Sequence, residues 1–168
     1  MAELSHQIII EDLISQFGNS ISDIEVPYGM LTFTCEPAKI PELFEYLFFH
    51  KQFQFRFLTD LCGVHFPDNK GKELGVVYHV HSWLHNIYLR VKTFVPIENP
   101  RVPTLTKLYA SANWQERETY DFYGIIFDGH PNLTRILNVD DMDYHPMRKE
   151  YPLEDATRRD KEDLYFGR

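Results

Sequence analysis

Cysteine is the scarcest of the chemically useful residues in this chain. Only Cys35 and Cys62 are present, and no CxxC pair occurs. An iron–sulfur cluster normally takes four thiolates, and a structural zinc ion takes four closely spaced Cys or His ligands. Neither set can be assembled from two isolated thiols, so both cysteines read as small buried hydrophobes in a reduced protein. Glycine is also sparse. The eight glycines stand apart and form neither GxGxxG nor GxxxxGK[ST], which removes the usual phosphate cradles, and the absence of GxSxG removes a nucleophile elbow. No apolar run approaches the ~20 residues that span a bilayer. The first residues, Met1–Ala2–Glu3–Leu4–Ser5, carry no basic segment of the kind that opens a secretory signal or transit peptide. Any membrane link is therefore expected to run through a partner. Positive charge is short as well: 17 Lys and Arg against 25 Asp and Glu leave −8, which disfavours phosphate backbones and hence nucleic acid.

Aromatic residues are abundant. Thirteen Phe, ten Tyr and two Trp in 168 residues exceed what one small core needs, so some rings are expected at interfaces. Ile10, Leu13, Ile14 and Phe17 keep helical spacing, with Gly18 as a stop. Residues 30–35 read as a strand, partnered by 21–26 across Pro27–Tyr28–Gly29. Ile40, Leu43, Phe44, Leu47 and Phe48 mark a second helix, entered through Pro37 and Pro41. Residues 55–61 alternate imperfectly, and 74–83 and 87–95 form a hairpin whose second strand alternates cleanly. After Pro96, Pro100 and Pro103, the positions Leu105, Leu108, Tyr109 and Ala112 predict a last helix ending near Gly124. Beyond Asn138 the text is charged and aperiodic. The expected architecture is a single α+β domain over 1–138, an antiparallel sheet with two or three helices packed on one face, followed by an extended C-terminal arm over 139–168 that docks on a partner.

Three clusters invite chemistry. His79, His81 and His85 form an HxH…H set in which the first two share a strand face; a metal site is conceivable there, against plain strand histidines. Glu116-Arg117-Glu118-Thr119-Tyr120-Asp121 is the densest charged stretch. It admits a solvated salt-bridged helix face, a carboxylate pair for acid–base work, or a polar face docked on another protein with Trp114 and Tyr123 as anchors. His130, between Gly129 and Pro131, is either a turn residue or a general base acting with Glu118 or Asp121 in a free-standing enzyme.

The run Glu116-Arg117-Glu118, then Asp121-Phe122-Tyr123, His130 and Ile136-Leu137 resembles the signature of the thirty-kilodalton, or C-type, subunit family of respiratory NADH–quinone oxidoreductase (complex I). Tyr144-His145-Pro146-Met147-Arg148-Lys149-Glu150-Tyr151-Pro152-Leu153 is similar to that family's ending, with Met147 and Glu150 in place of the commoner Leu and Asp, and Thr134 where a basic residue or Pro is usual. The resemblance implies an accessory subunit of the hydrophilic arm. Such a subunit has no catalytic, cofactor-binding or metal-ligating residue of its own, because FMN, the iron–sulfur clusters and quinone belong to partner subunits. It implies packing against the D-type (forty-nine-kilodalton) and B-type (twenty-kilodalton) chains, on the cytoplasmic side of a bacterial inner membrane. Contact or structural roles then fall on Glu116, Arg117, Glu118, Asp121, His130, Arg135, His145, Arg148 and Lys149, with Arg148 and Lys149 anchoring the arm on a partner. Related subunits in ferredoxin-dependent or hydrogenase-type membrane complexes are the alternative machine.

Overall fold

In the computed structural model, residues 4–152 are described. Helix α1 (His6–Phe17) starts where the Ser5 hydroxyl accepts the N–H of Ile8, and it stops at Gly18, whose φ of 49° suits a residue without a side chain. Strand β1 (Ile21–Glu25) and strand β2 (Leu31–Cys35) pair antiparallel across the Pro27–Tyr28–Gly29 turn, as the sequence predicts. Helix α2 (Ile40–Phe49) buries Ile40, Leu43, Phe44 and Leu47, the stripe read from its spacing. Then come β3 (Phe57–His65), β4 (Leu74–Ser82) and β5 (Ile87–Val95), and after them a short β6 (Arg101–Pro103), helix α3 (Ala112–Tyr123) and β7 (Ile126–Asp128).

The α+β class holds, but the main sheet is mixed rather than antiparallel. Its order is β1-β2-β5-β4-β3. From β2 the chain crosses through α2 to the far edge, then meanders back through β3 and β4 so that β5 lies parallel to β2, with Leu31 beside Leu89 and Phe33 beside Val91. Alternation along β5 fixes which face is buried, and it is silent on which neighbour the strand takes or in which direction. A second correction concerns the last helix. Leu105 and Tyr109 are buried, but residues 105–111 form successive turns and α3 begins only at Ala112. Turns preserve a three-to-four-residue spacing of apolar positions, so they imitate a helix in the pattern.

The helices cover one face of the sheet. The Phe44 ring of α2 lies 4.9 Å from Tyr78 of β4, and α1 meets α2 where Phe17 packs edge-on to Tyr46 at 5.5 Å. Helix α3 lies along β3 at the sheet edge, and Gly63 makes this possible: a Cβ there would sit 2.4 Å from a ring carbon of Tyr123. The opposite face carries a polar ladder. Arg90 Nε donates to His79 Nε2 at 2.8 Å, leaving His79 Nδ1 to face Asp60 at 3.5 Å. Burial and Arg90 push the His79 pKa below its ordinary value, against Asp60. His81 instead stacks on Tyr88 and bonds Asn86 Oδ1, and His85 bonds the carbonyl of Gln52. The three histidines thus take separate partners. Of the two thiols, Cys35 is buried as expected and Cys62 is exposed, because the pleat of β3 turns it away from the core between Leu61 and Gly63.

Replacing Gly63 with Ala should force the Tyr123 ring aside and cost about 1–3 kcal/mol, as overpacking does. The urea midpoint should fall with an unchanged m-value; an unaltered midpoint would mean that α3 does not depend on this close approach.

Candidate functional site

Any α-helix ends with four carbonyls that lack an internal partner. At the end of α3 each of these finds one. Tyr120 O accepts the N–H of Gly124, whose φ of 74° is the left-handed helix stop. Asp121 O accepts from Arg135 Nη1 (3.1 Å) and from His145 Nδ1 (3.0 Å). Phe122 O accepts the N–H of Met147 (3.1 Å), and Tyr123 O accepts from Arg148 Nε (2.8 Å). The cap is therefore built by chain far away in sequence. Two cationic guanidinium groups at the negative end of the helix add favourable charge.

The Asp121 side chain, 0 % exposed, is the second half of the clamp. Its Oδ2 accepts three successive backbone N–H groups, from Ile136 (3.1 Å), Leu137 (2.8 Å) and Asn138 (2.9 Å). Its Oδ1 accepts from Arg135 Nη1 at 2.7 Å and Asn138 Nδ2 at 3.0 Å. Arg135 in turn donates through Nη2 to Met142 O and Tyr144 O. Burial by itself would raise the Asp121 carboxyl; the amides of Asn138 and Leu137, the Asn138 side chain and the Ile136 amide outweigh it and hold the group well below the usual range.

Glu116, also 0 % exposed, has no ion-pair partner among the described residues. Its oxygens accept from the Leu105 N–H (2.7 Å) and the Thr104 hydroxyl (2.5 Å), which ties the turn after β6 to α3. Desolvation dominates and pushes this carboxyl up to about 7, against the opposing pull of Leu105 and Thr104. Arg117 lies over the Trp114 ring at 5.2 Å and donates to Thr134 O and Arg135 O. His130 Nε2 faces Asn113 O at 3.0 Å, while Nδ1 accepts the Asn132 N–H. Lys149 contributes its backbone N–H to His65 Nδ1 at 2.9 Å. Glu118 alone of the acidic set is exposed on the helix.

These placements correct several expectations. A solvated face fails for Glu116 and Asp121, which are buried. Asp121 pairs with Arg135, not with Arg117 one turn away. His130 shares no hydrogen bond with Glu118 or Asp121 among the described residues, and backbone groups occupy both its ring nitrogens, so the acid–base trio is not assembled. Arg148 reaches a carbonyl of its own chain, and residues 144–151 lie against α3; the rest of the arm, 153–168, lies outside the described residues. Sequence reasoning missed Thr104, Asn138 and His65, which carried no signal. Gly124 was read as a helix stop; here it must also be small, since a Cβ would meet His145 and Arg148 atoms within 2.7 Å.

The arrangement defines a scaffold that locks a loop and a strap onto a helix end, with the Glu116 and Asp121 carboxylates buried. Comparisons give the lineage. A family model described as "Respiratory-chain NADH dehydrogenase, 30 Kd subunit" matches residues 33–157, and the chain belongs to this family. It is 41% identical over 138 residues to the C-type subunit of NADH-quinone oxidoreductase from Mycolicibacterium paratuberculosis, covering 82% of this chain and 59% of that protein. To the corresponding C-type subunit of Nocardia farcinica it is 42% identical over 144 residues, 86% of this chain and 57% of that one. The chain thus spans about three fifths of the length of these relatives. Among solved structures it matches a trypsin-resistant fragment (1-134) of Nqo5 with a TM-score of 0.63 and 32% identity, over 76% of this chain and 98% of the fragment. It shares its fold, at 22% identity and a TM-score of 0.73, with a chain of an archaeal membrane-bound sulfane sulfur reductase, over 88% of this chain and 85% of that one.

Two outcomes follow from the carboxylates. Asp121→Asn strands Arg135 and exchanges an acceptor for a donor, so it should cost about 3–5 kcal/mol, the scale of a broken buried pair; denaturant unfolding checks it. Glu116 titrates in the other direction. Its folded value near 7 lies above its unfolded one, so its contribution is full at low pH and is lost as pH rises through about 7. Glu116→Gln should remove that loss, about 3 kcal/mol at 1.36 kcal/mol per pKa unit. The stability difference between variant and native chain should grow between acidic and alkaline pH; a constant difference would refute it.

Proposed function

We propose that this chain is a non-redox accessory subunit in the hydrophilic arm of a membrane-associated NADH–quinone oxidoreductase. There it braces the D-type and B-type chains while electrons pass through flavin and clusters held by others. The observation that carries this reading is that the family match covers the whole clamp, from Glu116 to Lys149. NADH is assigned as donor because the relatives' printed names are of NADH–quinone enzymes, in preference to the ferredoxin-dependent or hydrogenase-type machine.

No described helix is long and apolar enough to cross a membrane, and attachment is assigned here to partner chains, on the cytoplasmic side. A surface feature supports the reading. The outer surface of the clamp displays Trp114 at 61 % exposure with Leu137 and Val139 nearby in the chain it holds. Arg117 stiffens this surface: it stacks on Trp114 and grips the carbonyls that precede Leu137. An exposed Trp ring held by an Arg is a usual composition of an interface anchor. The clamp's role is thus to present that surface in one conformation.

An affinity-tagged chain, expressed in its own cells and purified from membranes, should bring down D-type and B-type subunits together with a flavin-bearing NADH-oxidising chain. Trp114→Ala combined with Leu137→Ala should lower that recovery at least tenfold, roughly 1.4 kcal/mol, without moving the thermal midpoint of the isolated chain. NADH–quinone turnover by the isolated chain, or a fully active complex in cells lacking it, would defeat the proposal.

A further inference from the structure

A nine-residue strand at the edge of a sheet leaves a row of backbone donors and acceptors open, and proteins generally cover such rows. Strand β3 is the edge beyond β4. The chain covers its two ends itself. At the start, the Tyr109 hydroxyl donates to Phe55 O just before the strand, and the Ser111 hydroxyl donates to Leu58 O. At the finish, the clamped arm lies against the strand, its Lys149 N–H donating to the His65 ring nitrogen Nδ1. Between these ends, the groups of residues 60–63 that point away from β4 carry no hydrogen bond among the described residues.

That open stretch lines a groove of about 190 Å³ together with residues of α3 and Met147 of the arm. Phe122 and Tyr123 supply apolar wall. The charged residues on its lining are Asp60 and Glu118, both carboxylates, with no lysine or arginine among them. Both can reach a new partner: Glu118 is exposed on α3, and the Asp60 side chain is 56% exposed, its one ion-pair contact among the described residues being the His79 ring at 3.5 Å. Desolvation, then Asp60 and Glu118, push the Cys62 thiol above its ordinary value, against the pull of Arg90.

We propose that this groove receives an extended segment of a neighbouring subunit, which adds to β3 as a sixth strand and places a lysine between Asp60 and Glu118. Main-chain pairing to the free edge supplies affinity, and the two carboxylates with the Phe122–Tyr123 wall select a basic side chain followed by an apolar one. The site is separate from the Trp114 surface. The inference rests on the chain working inside a multisubunit assembly.

The experiment uses the native complex from membranes beside the isolated chain. Cys62 is the probe, since Cys35 is buried. N-ethylmaleimide at alkaline pH should label Cys62 at least tenfold more slowly in the complex, and the amides of residues 60–63 should gain protection from hydrogen exchange there. A zero-length carbodiimide should join Asp60 or Glu118 to a lysine of one neighbouring chain, and Asp60→Asn with Glu118→Gln should abolish that product while leaving the isolated chain folded. Equal labelling in both states would overturn the proposal, and so would protection of Cys62 without a carbodiimide product. Failure of the chain to co-purify with any complex would instead strike the functional reading, which keeps the two results distinct.

Discussion

One ionised carboxylate, buried at the end of α3, is the constraint on which the rest of this structure hangs. Asp121 has five donors, one of them the Arg135 guanidinium, so it is charged, compensated and dry at once. A buried charge is tolerable only with that degree of satisfaction. The consequence reaches beyond the pair. The three amides that Asp121 collects belong to the loop after β7, and Arg135 passes the connection on to the carbonyls of Met142 and Tyr144, so one side chain sets the path of a long stretch that has no secondary structure.

The same region answers the backbone accounting of the helix. Carbonyls that would need water at an isolated helix end are supplied by His145, Met147 and Arg148, and this seats the strap against α3 with Met147 on the lining of the β3–α3 groove. Folding of the core and closure of the strap are therefore coupled: α3 is placed against the sheet by the bare backbone of Gly63, and the strap is placed by α3. The surface offered to neighbours inherits this order. Trp114 stands where it does because Arg117 is tethered to the loop that Asp121 holds.

Much of the fold was legible. The stripe of α2, the β1–β2 and β4–β5 hairpins and the α+β class all rest on local periodicity, which records how each segment meets a core. The charged stretch around Glu116 was visible as a place of interest, and the family resemblance drawn from it stands. What those residues do was not legible. Glu116 and Asp121 look alike in the text, five residues apart on one helix, yet one has no ion-pair partner among the described residues and is pushed toward neutrality while the other is held ionised. The difference lies in Thr104 and Leu105 on one side and in Arg135 and Asn138 on the other, partners set by where β6 and β7 lie.

By itself the sequence determined most of the helices and strands, which of their faces are apolar, and to which lineage the chain belongs, because all of these are written in short-range spacing and in motif. Only the tertiary structure decided that β5 runs parallel beside β2, that Cys62 lies open while Cys35 does not, and that Arg148 caps its own helix. Each of those outcomes depends on which distant backbone or side chain arrives at a given donor, and pairings of that kind form only when the whole chain has closed.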